Sequence, residues 1–185
     1  MIYESKKLTL RDGRIAVLRS PALEDAGAML EYMRITAGET DFLLRYPEEC
    51  PSSIERETAF LQSVLESKSD LMLICEVDGD IAGNCHMTFM DGRIKTAHRA
   101  SIAIAIKQKY WRLGIGSAMF ETMTAAAMEH EGTGMLELEV IDGNDRAIAL
   151  YKKFGFEIVA TRPDAMRLKD GRYLDEHIMI KRLPR

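Results

Sequence analysis

Only three cysteines occur in the 185 residues, with five prolines and one tryptophan, and no apolar run approaches the ~18 residues that a membrane-spanning helix requires. Each scarcity excludes a class of protein. Cys50, Cys75 and Cys85 are odd in number and widely spaced, which fits reduced, mostly buried thiols and argues against a disulfide framework. His86, His98, His130 and His177 form no HxxxH pattern and the cysteines no CxxC, so no metal site is expected. Cys85 stands beside His86, but strand neighbours point to opposite faces, so that histidine is not expected to activate the thiol. An excess of one charge is also missing. The 25 basic and 29 acidic residues are interspersed, with net charge -4 and pI near 5.6, which leaves no broad footprint for nucleic acid. The opening residues, Met-Ile-Tyr-Glu-Ser-Lys-Lys, hold no apolar signal core. The expectation is a soluble, cytoplasmic chain with neither a membrane nor a nucleic-acid partner.

What is present is an ordinary globular composition, 46% hydrophobic and 29% charged, at a length near one domain. Such a chain buries roughly 70% of the surface its unfolded form exposes, enough for a core without disulfide or metal. Leu8 and Leu10 alternate with polar residues before Asp12-Gly13, and Ile15 to Leu18 follows, which predicts a hairpin. Ser20-Pro21 supplies N-cap and N1 signals for a helix to about Ile35, with Leu23, Ala26, Leu30 and Met33 as its buried stripe. Residues 37–51 read as an irregular loop. Ser52 and Glu55 have capping-box spacing for a second helix, in which Ile54, Leu61 and Leu65 recur.

From Leu71 the period becomes two. Leu71 to Val77, Ile81 to Met90 and Ala97 to Ile106 are strands of an antiparallel meander, separated by Asp78-Gly79 and Asp91-Gly92. A helix from about Gly116 to Glu129, a strand from Met135 to Ile141, a helix from about Asp145 to Phe154 and strands at 156–161 and 173–181 complete the chain. The expected class is α+β, with a mixed, mostly antiparallel sheet flanked by helices and no internal repeat.

Two constellations carry chemistry. Ile102, Ile104 and Ile106 share one strand face and Ser101, Ala103 and Ala105 the other, where small side chains admit a helix or a ligand. Directly after comes Arg112-Leu113-Gly114-Ile115-Gly116-Ser117, opening a long helix. Its glycines let successive amides face one concavity, where the helix dipole favours an anion; a plain tight connection is the simpler reading. No Gly-Lys-Ser/Thr follows, so a Walker loop is excluded, and the upstream hairpins oppose a dinucleotide fold. The second is Asn144-Asp145-Arg146-Ala147-Ile148-Ala149-Leu150-Tyr151-Lys152-Lys153-Phe154-Gly155-Phe156. Asn144 and Tyr151 lie roughly 10 Å apart on one helix face. Read alone, Asn144 is an N-cap, Tyr151 a stripe residue and Gly155 a C-cap.

Together, in order, spacing and residue type, the small-faced strand, the GxG turn, the next strand and N-x-x-A-x-x-L-Y-x-K-x-G-F resemble the GCN5-related N-acetyltransferase (GNAT) family from about Leu71 to Phe156. The resemblance implies a single domain over 1–185, with acceptor-side elements in about 1–70, an acetyl-CoA-binding core in 71–156 and C-terminal strands in 157–185. It implies that amides of Arg112, Leu113, Gly114, Ile115, Gly116 and Ser117 bind the pyrophosphate of acetyl-CoA, and that Ile104, Ala105 and Ile106 pair with the pantetheine arm. Asn144 would contact the same arm and Tyr151 the thioester sulfur. Trp111 stands where the family's motif usually opens with Gln or Arg, with Arg112 one place later. Ser101 occupies the place where several relatives carry a glutamate, so the base is unassigned; Glu139, Glu76 and Glu137 are candidates by strand position, and a solvated face is the alternative.

The implied reaction needs no covalent enzyme intermediate and no metal. A neutral primary amine, of a small molecule or a protein N-terminus, attacks the thioester carbonyl, a backbone amide at 104–106 stabilises the oxyanion, and Tyr151 protonates the leaving thiolate. A non-catalytic acyl-CoA-binding module is the main rival and a nucleotide-dependent oxidoreductase a remoter one. Family habit alone implies a homodimer.

Overall fold

The computed structural model describes residues 1–184. Its eight strands form a mixed, mostly antiparallel sheet in the hydrogen-bonded order β1-β2-β3-β4-β5-β6-β8-β7, with four α-helices, so the class is α+β as the periodicities predicted. The chain divides into two compact units, Met1–Thr88 with Ile104–Met119, and Phe89–Ala103 with the chain from Phe120 onward.

The first unit begins with β1 (Lys6–Thr9) and β2 (Ile15–Arg19), paired antiparallel across a turn in which Gly13 takes φ +86°. Helix α1 (Ala26–Gly38) starts later than Ser20-Pro21 suggested. The Ser20 hydroxyl instead accepts from the Tyr3 amide, and a short 3-10 turn at Leu23–Asp25 intervenes, closed by the Asp25 carboxylate on the Ala22 amide. That rotation leaves Leu23 exposed and Leu30 half-buried, and buries Ala26, Met29, Tyr32 and Thr36. Helix α2 (Ile54–Glu66) is capped by Ser53 rather than Ser52: its Oγ accepts from the Arg56 amide at 3.2 Å and donates to Glu55 at 2.8 Å. Ile54 is exposed, and the inner face is Glu57, Leu61 and Val64.

β2 pairs with β3 (Asp70–Val77), and β3 with β4 (Asp80–Phe89), both antiparallel. Asp78 and Gly79 take φ +52° and +79°, the two positive values that a tight hairpin with matching twist requires. Cys75 and Cys85 are buried, and removal from water pushes the Cys75 thiol up to about 12, which keeps it protonated and inert.

β5 (Arg99–Ile106) contributes to both units, passing from one to the other after Ala103. In the second unit its first residues pair in parallel with β6 (Met135–Ile141), from Arg99↔Met135 to Ser101↔Glu137; a parallel pair needs a crossover, which helix α3 (Ile115–Glu129) supplies. β8 (Tyr173–Arg182) pairs antiparallel with β6 and with β7 (Glu157–Arg167). β7 runs six residues beyond the expected Thr161. Pro163 interrupts the ladder there, the register shifts between Arg162 and Met166, and Asp164 turns to φ +53°. A proline cannot donate to a ladder, so the sequence reads as a strand end where the structure inserts a bulge and resumes. Phe120, Met123, Leu136, Leu138, Phe156 and Met179 form the buried centre of this unit beside α4 (Asp145–Lys153).

No helix among the described residues is long and apolar enough to cross a membrane, and these residues hold no group of three or more His, Cys, Asp or Glu able to bind a metal ion.

Candidate functional site

Ile104, Ala105, Ile106 and Arg112 to Ser117 lie in the first unit. The Lys107 amide donates to the Ala82 carbonyl of β4 at 2.9 Å. Backbone polar groups alternate in direction along a strand, so Ala105 presents its own to the β4 edge while Ile104 and Ile106 present theirs to the other edge. Side chains then remove two carbonyls from play. The Tyr32 hydroxyl donates to Ala105 O at 2.8 Å, and the Trp111 indole donates to Ile106 O at 2.6 Å. What this stretch offers an extended polar ligand is therefore the amide and carbonyl of Ile104 and the amide of Ile106. Burial pushes the Tyr32 phenol far above its usual range, so it stays a neutral donor. The small face expected to admit a helix or a ligand admits a helix at Ala105, which packs against the cluster of Met29, Tyr32, Leu61 and Ile74.

The following turn has two left-handed residues, Arg112 at φ +63° and Gly114 at φ +100°. The glycine was legible; the arginine was not, because side chains other than Asn and Asp seldom take this conformation. Its carbonyl and the next are held from outside the turn: the Arg11 amide donates to Leu113 O at 3.2 Å, and Arg11 Nη1 to Arg112 O at 3.4 Å. Residue 11 sits at the tip of the β1–β2 hairpin. With the carbonyls tied back, the turn delivers Ile115, Gly116 and Ser117 as the first residues of α3, whose amides point out along the axis at the positive end of the helix dipole. Gly116 lies inside the helix, so the backbone freedom attributed to both glycines is required at Gly114 alone.

A polar brace fixes the segment between β5 and this turn. Buried Lys107 reaches Asp80 Oδ1 at 2.6 Å, while Lys109 Nζ at 2.9 Å and the Tyr110 hydroxyl at 3.0 Å share Oδ2. Burial alone would raise the Asp80 pKa, but the hydrogen bonds from Lys107, Lys109 and Tyr110 outweigh it and hold the value at about 2. Its folded pKa lies below the unfolded value near 3.9, so this carboxylate contributes stability that is complete above about pH 5 and is lost as pH falls towards 2. Asp80→Asn is therefore expected to lower Tm at neutral pH, where it leaves buried Lys107 without its counter-charge, and to flatten the acid limb. Melting curves from pH 2 to 7 check both; a neutral-pH Tm equal to wild type would show that the brace is idle.

Asn144, Tyr151 and Glu139 lie in the second unit. Asn144 caps α4, its side-chain oxygen accepting from the Ala147 amide at 3.4 Å. Tyr151 is buried, its ring 5.2 Å from Phe120 and 6.3 Å from Phe156 between centroids, and the Gly155 turn at φ +83° returns the Phe156 amide to Tyr151 O. The capping and packing roles that the spacing allowed are thus both present. The carboxylates offered as bases are engaged. Glu137 makes a two-point contact with Arg99 at 2.8 Å, Glu76 pairs with Arg19 at 2.9 Å, and exposed Glu139 lies 3.7 Å from Arg162. Glu139 has the solvated character that alternating strand carboxylates usually have.

Against this geometry stand the similarities to known proteins. The model of the acetyltransferase (GNAT) family matches residues 37–156. The L-amino acid N-acetyltransferase AaaT of Escherichia coli K12 is 31% identical over 110 residues, 59% of this chain and 66% of that protein. The matched part thus spans just under two thirds of that relative. Among solved structures, an acetyltransferase of the GNAT family from Streptococcus pneumoniae superposes with TM-score 0.84 at 25% identity, covering 91% of this chain and 99% of that one. A putative acetyltransferase from Salmonella typhimurium, yncA, solved with its cofactor acetyl-CoA, gives TM-score 0.77 at 16% identity, with 91% and 94% covered.

Proposed function

The chain belongs to the acetyltransferase (GNAT) family, and on that premise we propose that it transfers an acetyl group from acetyl-CoA to a primary amine by direct attack in a ternary complex. The observation that carries the proposal is the turn before α3: left-handed Arg112 and Gly114, carbonyls held by Arg11, and helix-start amides presented together. That is the backbone chemistry a diphosphate requires. Amides of Arg112 to Ser117 would take the pyrophosphate, and the free amide and carbonyl of Ile104 with the amide of Ile106 would pair with the amide groups of the pantetheine arm. In this reading residues 1–185 act as one acetyltransferase domain whose acceptor-side elements lie in 1–70. The family resemblance assigns Asn144 to the same arm and Tyr151 to the leaving sulfur.

A second reading, an acyl-CoA-binding module without turnover, draws on the engagement of Glu76 and Glu137 with arginines. One pair of measurements separates the two. CoA or acetyl-CoA should stabilise the folded protein by RT ln(1 + [L]/Kd), about 2.7 kcal/mol at a hundredfold excess over Kd, read as a rise in Tm. Release of free CoA from acetyl-CoA should then depend on an added amine panel. A Tm shift without amine-dependent release favours the binding module; no Tm shift and no calorimetric heat with CoA removes both readings.

A further inference from the structure

A hydroxyl from helix α1 stands between two strands of the sheet. β4 and β5 are neighbours, joined where the Lys107 amide donates to the Ala82 carbonyl at 2.9 Å. Counted back from that bond, an antiparallel pair sets Gly83 opposite Ile106 and Asn84 opposite Ala105. The packing agrees: a Cβ built on Gly83 would lie 3.0 Å from Ile106 Cγ1 and 3.2 Å from Ala105 O. In a regular ladder the Asn84 amide would donate to that carbonyl. Instead the Tyr32 hydroxyl donates to Ala105 O at 2.8 Å, and the Asn84 amide donates to the same hydroxyl oxygen. The phenol therefore bridges the ladder, acting as donor to one strand and acceptor from the other.

Such a bridge widens the gap between the strands. A direct bond holds amide nitrogen and carbonyl oxygen ~2.9 Å apart, whereas two bonds meeting at one hydroxyl hold them roughly 4.5 Å apart. β4 is fixed on its far side by the ladder to β3, from Asp70↔Thr88 to Val77↔Asp80, so β5 takes up the added width. That carries it towards its other edge, where the amide and carbonyl of Ile104 and the amide of Ile106 point. The hydroxyl is itself held by its ring, which is buried with Met29, Leu61 and Ile74 and lies 5.9 Å from Lys107 Nζ. A second tie follows three residues later, where the carboxylate of Glu39, the C-cap of α1, accepts from the Gln108 amide at 2.6 Å. We infer that Tyr32 is a positioning residue for the pantetheine arm: its hydroxyl sets the distance of β5 from β4, and with it the place of the Ile104 and Ile106 amides. The inference rests on the acetyltransferase reading and adds to it a residue that acts through the strand.

The test compares Tyr32→Phe with wild type, using acetyl-CoA and 3′-phospho-ADP, which carries the diphosphate and lacks the arm. Phenylalanine keeps the ring, and without the hydroxyl the Asn84 amide and Ala105 carbonyl can close on each other, so Tm should stay close to wild type. Acetyl-CoA should bind roughly five- to fiftyfold more weakly, the loss of one or two hydrogen bonds, while 3′-phospho-ADP binds as before. A merely structural hydroxyl would lower Tm and move both ligands alike or neither. Equal losses, no loss, or a variant too unstable to titrate each overturn the inference. Wild type that binds neither ligand would instead strike the acetyltransferase reading. Tyr32 is then judged without ligand, by the amide chemical shifts of Ile104 and Ile106, which should move in the variant; unmoved shifts overturn the inference.

Discussion

Gly114→Val should abolish most of the stabilisation that CoA gives the folded protein. Gly114 sits at φ +100°, a region that L residues avoid and β-branched ones avoid most, at a cost of about 1–3 kcal/mol. A Cβ built there meets nothing within 4 Å, so the protein itself does not clash with it. The substitution therefore acts in two ways: the backbone relaxes away from the left-handed turn, and the side chain projects into the open space beside the turn. Either change spoils the approach of an anion to the α3 amides. Gly114→Ala shares the strain without the β-branch and should retain part of the response. Tm with and without CoA, for wild type and both variants, checks the order. A valine variant with the full wild-type shift would mean that the ligand phosphates bind elsewhere.

How much of this was legible depends on whether the signal is local. Asp12-Gly13 and Asp78-Gly79 predicted their hairpins because positive φ is a property of the turn itself. β6 was read to the residue, since apolar alternation from Met135 to Ile141 reports its own pleat. Local signals failed where tertiary partners took the residue. Ser20 reads as an N-cap until Tyr3 claims its hydroxyl, Ser52 loses the cap to its neighbour Ser53, and Pro163 reads as the end of a strand that β8 carries on. The same division runs through the candidate site. Gly114 announced the turn, but Tyr32 on Ala105 O spans 73 positions in the sequence, and Arg11 at the turn spans about a hundred. No short window contains such pairs.

Tyr151→Phe should leave CoA affinity nearly unchanged and lower kcat by roughly ten- to a thousandfold, if the hydroxyl protonates the departing thiolate, because positioned proton donation is typically worth 10²- to 10⁴-fold and water replaces part of it. The structure sharpens the comparison, since the ring is also a packing element. It lies against Phe120 and Phe156, both of which a phenylalanine would continue to touch. Stability carried by the ring should therefore survive the substitution, and Tm should stay close to wild type, whereas Tyr151→Ala would lose both packing and acid. This makes phenylalanine the informative variant: an effect on kcat without an effect on Tm or on the CoA-induced shift isolates the hydroxyl. A rate retained within about twofold, under conditions where chemistry limits turnover, would leave Tyr151 as a core residue of α4 and return the proton to solvent or to another group.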